Sequence, residues 1–165
     1  MKGAVSMRKQ LKQKSGHFAE REEPTGKEIN MRAADTPLDQ GKRAFGRKQG
    51  KTCTFTPANL SRGELELEKG VILGQLDTAL PGEETSLAPG RYNLFLANVG
   101  GKWRAYAESG GVIVAEAARV FVGLSAKTVG AGRKPVFYSR GWCWEHTFRV
   151  SKYGVRISLR VKVCI

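Results

Sequence analysis

The sequence is poor in the residues from which most catalytic and metal centres are built. Its 165 residues include two histidines and three cysteines, and the cysteines do not follow the spacing of zinc ligands. The carboxylates show no spacing that indicates a general acid–base pair. We therefore expect a protein that is not an enzyme, with no catalytic residue, no cofactor and no metal ligand.

Long apolar segments are also lacking. No run approaches the roughly 18 apolar residues that a membrane-spanning helix needs, which predicts a chain without a transmembrane segment. The basic N-terminus is not followed by the apolar stretch of a secretion signal. On these grounds we expect the protein in the cytoplasm.

At both ends of the chain acidic residues are outnumbered by lysine and arginine. The net charge is +13, which divides into +7 for residues 1–52, −2 for residues 53–124 and +8 for residues 125–165. A cationic surface of this kind attracts polyanions such as nucleic acid, anionic lipid or acidic polysaccharide. It can equally keep a solvated segment soluble, and charge alone does not separate the two interpretations.

The apolar residues are distributed as unevenly as the charge. Residues 1–52 hold only a thin scatter of them, too few to offset the entropy of ordering, so we predict a disordered basic tail. The core is then expected in residues 53–124. A basic linker and a hairpin follow over residues 125–165.

Short strands separated by glycine-rich turns occupy the middle of the chain. Three strand-like runs follow one another at 91–97, 102–108 and 112–115. This pattern is typical of an antiparallel β-sandwich or meander, so the expected fold class is all-β. In the second run Trp103, Ala105 and Ala107 share one face, which we predict to be the core face.

The strongest alternation of apolar and polar residues lies at the C-terminus. Two alternating runs flank a turn at 152–155 and predict a β-hairpin. A shorter turn would place Arg149 opposite Arg156, an unfavourable pair of like charges. We therefore predict the register that pairs Phe148 with Leu159.

The polar face of this hairpin is the main candidate for binding a polyanion. The candidate residues are four on the hairpin and two in the tail: Arg149, Arg156, Arg160, Lys162, Lys48 and Lys51. Trp142 and Trp144 fall on the opposite face, whereas base stacking needs aromatic and basic residues on one surface. Alternatively, the hairpin cations pair with glutamates of Glu64–Glu68, whose alternation predicts a neighbouring half-buried strand.

Two cysteines and one histidine of the hairpin need separate interpretation. The predicted register places Cys143 opposite Cys164, so they would form a disulfide in an oxidising compartment or remain thiols in a cytosol. The lack of an export signal favours thiols. His146 lies on the apolar face and is expected to be a core histidine with satisfied hydrogen bonds. Cys143 points to the opposite face, so the two cannot chelate one metal ion.

One segment resembles a known family. Leu87-Ala88-Pro89-Gly90-Arg91-Tyr92-Asn93-Leu94 is similar to the L-x-P-G-x-Y-x-L segment of bacterial carboxypeptidase-regulatory-like and related immunoglobulin-like β-sandwich modules, and the similarity extends to about Ala115. Its Pro-Gly pair makes a tight turn, after which Tyr92 and Leu94 enter the core on one face. The resemblance implies a non-catalytic accessory or adhesion role, usually outside the cytoplasm, and assigns no functional residues.

Two functions follow from these observations. The first is a non-enzymatic binding or structural module that contacts a protein or a glycan through a β surface. The second is a non-specific nucleic-acid-binding protein that uses the basic tail and hairpin as an electrostatic clamp.

Overall fold

The computed structural model describes residues 19–48, 50–61, 63–79, 87–125, 136–138, 141–152 and 154–164. Within these ranges the chain forms one α-helix, α1 (Gly26–Ala34), and two short 3-10 helices, Gln40–Lys42 and Leu67–Lys69. The strands are β1 (Glu20–Arg21), β2 (Ala44–Lys48), β3 (Lys51–Pro57), β4 (Val71–Thr78), β5 (Gly90–Val99), β6 (Lys102–Ser109), β7 (Val112–Glu116), β8 (Arg119–Ser125), β9 (Val136–Tyr138), β10 (Gly141–Lys152) and β11 (Val155–Cys164).

The strands form two sheets. In the first sheet the order is β2-β3-β4-β5-β6-β7, all antiparallel, with β1 added in parallel beside the end of β5. In the second sheet the order is β8-β11-β10-β9, again antiparallel. The predicted all-β, antiparallel class is therefore confirmed.

The main core lies between the two sheets. From the first sheet it contains Leu94, Leu96 and the predicted core face of β6, where Ala105 and Ala107 are buried and Trp103 packs alongside. The second sheet contributes residues of β10 and β11, which are Phe148, Val150, Leu159, Val161 and Val163. The C-terminal hairpin therefore belongs to the same core as the meander.

The register of the hairpin agrees with the prediction. Phe148 pairs with Leu159, and Cys143 pairs with Cys164. The turn is tighter than predicted, because Lys152 still pairs with Val155. The like-charge argument thus identified the register, although it did not identify the length of the turn.

Helix α1 covers the face of the first sheet that the second sheet leaves free. Its Ile29 is fully buried against Phe95 and Tyr106. An ion pair with two 2.6 Å contacts joins Arg21 of β1 to Glu28 of the helix. Hydrogen bonding to Arg21 lowers the pKa of Glu28, so this carboxylate stays charged beside its partner.

The predicted tail needs a different boundary. Residues 1–18 lie outside the described residues, but ordered structure is described from Ala19 onward, well before Cys53. The prediction of disorder rested only on the few apolar residues that this segment carries. The described part of this segment needs few apolar residues of its own to be ordered, because the first sheet supplies the apolar surface onto which Ile29 packs.

Two further boundaries differ from the sequence predictions. Glu64–Glu68 is not a strand, since only Glu64 makes an isolated bridge, to Ser151, before a 3-10 helix begins. The predicted alternation of burial is nevertheless present, with both leucines buried and the glutamates exposed. The second difference concerns β8, which pairs with β11, so the second sheet begins at Arg119 rather than after Leu124.

None of the described helices is long and apolar enough to cross a membrane.

The docking of α1 can be tested by a pair of substitutions. Ile29→Ala should lower the free energy of unfolding by about 2–4 kcal/mol, because it empties a fully buried site. Met31→Ala on the same helix should change it by less than about 0.5 kcal/mol, because Met31 is 60% exposed. Urea unfolding of both variants measures the difference. Equal, small effects would show that α1 is not packed on the sheet.

Candidate functional site

The four predicted cations of the hairpin share one face of the second sheet. Arg149 and Arg156 lie toward the turn, whereas Arg160 and Lys162 lie toward the other end of β11. All four are exposed. We call this surface the outer face, since the opposite face packs in the core between the sheets.

The two predicted tail lysines lie elsewhere. Lys48 and Lys51 pair with each other at the tip of the β2–β3 hairpin, in the first sheet. The structure therefore does not bring the six predicted cations together. It divides them among that tip and two cavities on the second sheet.

The larger cavity is a groove of about 870 Å³, which we call the basic groove. It lies where the chain crosses from the first sheet to the second. The crossing is fixed by hydrogen bonds from the Ala117 amide to the Ala105 carbonyl and from the Ala118 amide to the Cys164 carbonyl, both 2.8 Å. The groove's main lining side chains are Lys102, Trp103, Arg104, Glu116, Arg119, Phe121, Glu145, Arg160 and Lys162.

Cations outnumber carboxylates in the basic groove. Its two carboxylates are paired, with Arg160 Nε 2.7 Å from Glu145 and Arg104 Nε 3.6 Å from Glu116. Three further cations make no ion pair with another described residue, and they are Lys102, Arg119 and Lys162. Excess positive charge therefore remains available in the groove.

The alternative partners predicted for the hairpin cations are not the partners in the structure. Arg160 pairs with Glu145 on the neighbouring strand rather than with Glu64, Glu66 or Glu68. Glu64 instead accepts a hydrogen bond from the Gly154 amide, and Glu66 pairs with Lys69. The reason is that Glu64–Glu68 is not a strand beside the outer face.

An exposed aromatic ring lies among the cations of the groove. Phe121 is 55% exposed, it pairs with Lys162 across the sheet, and the Arg160 guanidinium carbon lies 6.0 Å from its ring centroid. Phe121 was not predicted as part of this surface, because residues 119–124 were placed in the expected core of residues 53–124 and not beside the hairpin. The alternation within β8 could have indicated this, because it places Phe121 on the face opposite to Val120 and Val122.

The smaller cavity, of about 170 Å³, lies at the edge of β10, and we call it the edge pocket. The side chains relevant to binding in it are Asp39, Lys42, Asn59, Ser61, His146, Arg149 and Arg156. It shares no lining residue with the basic groove. The predicted cations of the hairpin are therefore split two and two between the cavities.

His146 is buried on the apolar face, as predicted. It is 8% exposed and contacts Phe148 edge to face, with ring centroids 4.5 Å apart. It makes no hydrogen bond with another described residue, and its ring nitrogens are not among the buried atoms that lack a partner. Burial, and secondarily the charge of Lys42, lower the pKa of His146 to about 4, so the ring is neutral at pH 7.

The three cysteines fall into two environments. Cys143 and Cys164 form a disulfide across the hairpin and not the thiols that the lack of an export signal favoured, because the register places them opposite each other. Cys53 is a free, buried thiol, and burial raises its pKa to about 12. No group of three or more potential metal ligands (His, Cys, Asp or Glu) occurs among the residues that the structure describes.

Comparison of the chain with protein-family models, with curated proteins and with solved structures gave no match.

Burial of His146 predicts a pH dependence of stability. The unfolded ring takes up a proton near pH 6.5, but the folded ring does so only near pH 4. The unfolded chain therefore binds more protons between these values, and the stability falls as the pH drops through this window. The full loss is on the order of 3 kcal/mol.

Urea unfolding of the wild type and of His146→Leu between pH 7 and pH 4 measures this contribution. The variant should lose less stability than the wild type over the window. Parallel pH profiles for the wild type and His146→Leu would mean that the folded ring titrates normally.

Proposed function

We propose that this protein is a non-enzymatic binding module that contacts an anionic partner, a protein or a glycan, through the basic groove. The observation that carries the proposal is the set of groove cations without an acidic partner, Lys102, Arg119 and Lys162. A groove with uncompensated charge of one sign attracts the opposite charge and concentrates it locally.

The carboxylates of the groove support a binding role rather than a catalytic one. A general base needs a carboxylate that can accept a proton from a substrate. Glu145 and Glu116 instead form ion pairs, at 2.7 Å from Arg160 Nε and 3.6 Å from Arg104 Nε. They hold the arginines in place along the groove.

The size of the groove also fits a binding role. About 870 Å³ falls in the range of cavities that take drug-sized ligands. Its mixed lining, with Trp103 and Phe121 among the cations, offers apolar contact beside charge. A partner with an apolar ring or side chain next to an acidic group would satisfy both.

A second candidate function is the binding of single-stranded nucleic acid. The observation that favours it is Phe121, because an exposed ring beside Arg160 and Lys162 combines a stacking surface with phosphate-neutralising charge. Both candidate functions use the basic groove. They are distinguished by which ligand the groove prefers and by which side chains the binding of that ligand requires.

The test compares three ligands on the full chain: a sulfated polysaccharide, polyglutamate and single-stranded RNA. Lys162→Glu and Arg119→Glu should each weaken binding of the preferred ligand about tenfold or more, because a groove cation becomes a repelling charge. Lys51→Glu makes the same charge change at the tip of the β2–β3 hairpin and serves as the matched control. Binding is measured by fluorescence anisotropy over a series of salt concentrations.

The outcomes separate the candidates. Preference for the polysaccharide or polyglutamate, lost in the groove variants only, supports the module. Preference for RNA that falls in Phe121→Ala with an unchanged salt slope, and in Lys162→Glu with a slope reduced by about 0.7 per lost phosphate contact, supports the second candidate. Equal losses in Lys51→Glu and Lys162→Glu would reduce the binding to non-specific charge attraction and contradict both.

A further inference from the structure

The edge pocket differs from the basic groove in size and in the kind of group it can hold. Its volume of about 170 Å³ is below the roughly 300 Å³ at which pockets for drug-sized ligands begin. It therefore has room for a small chemical group rather than for a nucleotide or an extended oligosaccharide. Any ligand that enters it does so as a single substituent.

The charge of the edge pocket favours an anion. Lys42, Arg149 and Arg156 bring three positive charges to its rim, and Asp39 brings one negative charge. Asp39 compensates only one of these charges, because its carboxylate lies 3.9 Å from Lys42 Nζ. Neither arginine makes an ion pair with another described residue. The net charge of the lining matches one doubly charged anion.

His146 adds a hydrogen-bonding group to the cationic lining of the pocket. The ring lines the cavity, is 8% exposed and makes no hydrogen bond with another described residue. In its neutral form it has one N–H to donate. An acceptor oxygen of an anion in the pocket would take this hydrogen bond.

We propose that the edge pocket binds a phosphate or sulfate group, held by Lys42, Arg149 and Arg156 and by a hydrogen bond from His146. A tetrahedral oxyanion is small, carries up to two negative charges and presents acceptors in several directions. Arginines bind such groups through two parallel N–H contacts. The site is independent of the basic groove and does not depend on its proposed function.

Side-chain NMR of the histidines tests this proposal directly, because the chain has only two, His17 and His146. The probes are inorganic phosphate, inorganic sulfate and glycerol 3-phosphate, each added at constant ionic strength to the full chain. The His146 ring signals should shift and saturate, whereas those of His17 should not. A response to glycerol 3-phosphate as strong as to phosphate means that the pocket accepts a phosphoryl substituent of a larger molecule, and a weaker one means that it accepts the free ion.

Substitutions of exposed residues give the matched controls. Arg149→Ala and Arg156→Ala should each weaken the affinity for phosphate or sulfate about tenfold, because each removes a charge-assisted contact. Asp39→Asn should strengthen it, since a repelling charge is lost. Arg160→Ala and Lys162→Ala, which alter the groove, should leave it unchanged.

Three results would overturn the proposal. The first is a His146 signal that none of the three anions shifts. The second is a linear, unsaturated shift shared with His17, which indicates general ionic effects. The third is a loss of affinity in the groove variants equal to that in Arg149→Ala. Since the groove is tested with other ligands and other variants, failure here leaves the binding-module proposal standing.

Discussion

The apolar layer between the two sheets is the contact on which both cavities depend. Leu96 in the first sheet and Leu159 in the second are fully buried in it. The basic groove takes Trp103 from one sheet and Phe121 from the other. The edge pocket likewise takes His146 from the second sheet and Lys42 from the 3-10 helix that precedes β2 of the first sheet. Neither cavity would exist if the sheets were separate.

The first sheet is covered on both faces, and this explains why its central strands are so apolar. Leu94 and Leu96 of β5 face the second sheet, whereas Phe95 faces α1. Two guanidinium groups, of Arg21 and Arg32, lie 5.6 and 5.2 Å from the Phe95 ring centroid. The described residues before Cys53, 19–48 and 50–52, are therefore part of the fold, and two of their positive charges help to hold the helix.

Local sequence patterns predicted the strands well, but they failed where the structure depends on packing against residues distant in the chain. Alternation and like-charge avoidance were enough to pair Phe148 with Leu159, because strand pairing within a hairpin is a local choice. Whether Ile29 is ordered depends on an apolar surface contributed by Phe95 and Tyr106, far away in the chain. The position of Phe121 was not predicted for the same reason, because the sequence of β8 does not indicate which of the two sheets this strand joins. The basic groove and the edge pocket form only when the two sheets dock. The sequence therefore predicted the candidate cations, but it did not predict that they would be divided between two cavities.

Native-state hydrogen exchange tests the docking of the sheets most directly. If the sheets share one core, the amides of Leu96 in β5 and Leu159 in β11 exchange only through the same global opening. Their free energies of opening should then agree with each other and with the free energy of unfolding in urea. If the amide of Leu159 exchanges through an opening several kcal/mol less costly than that of Leu96, the second sheet unfolds on its own. That result would contradict a single core and the two cavities built on it.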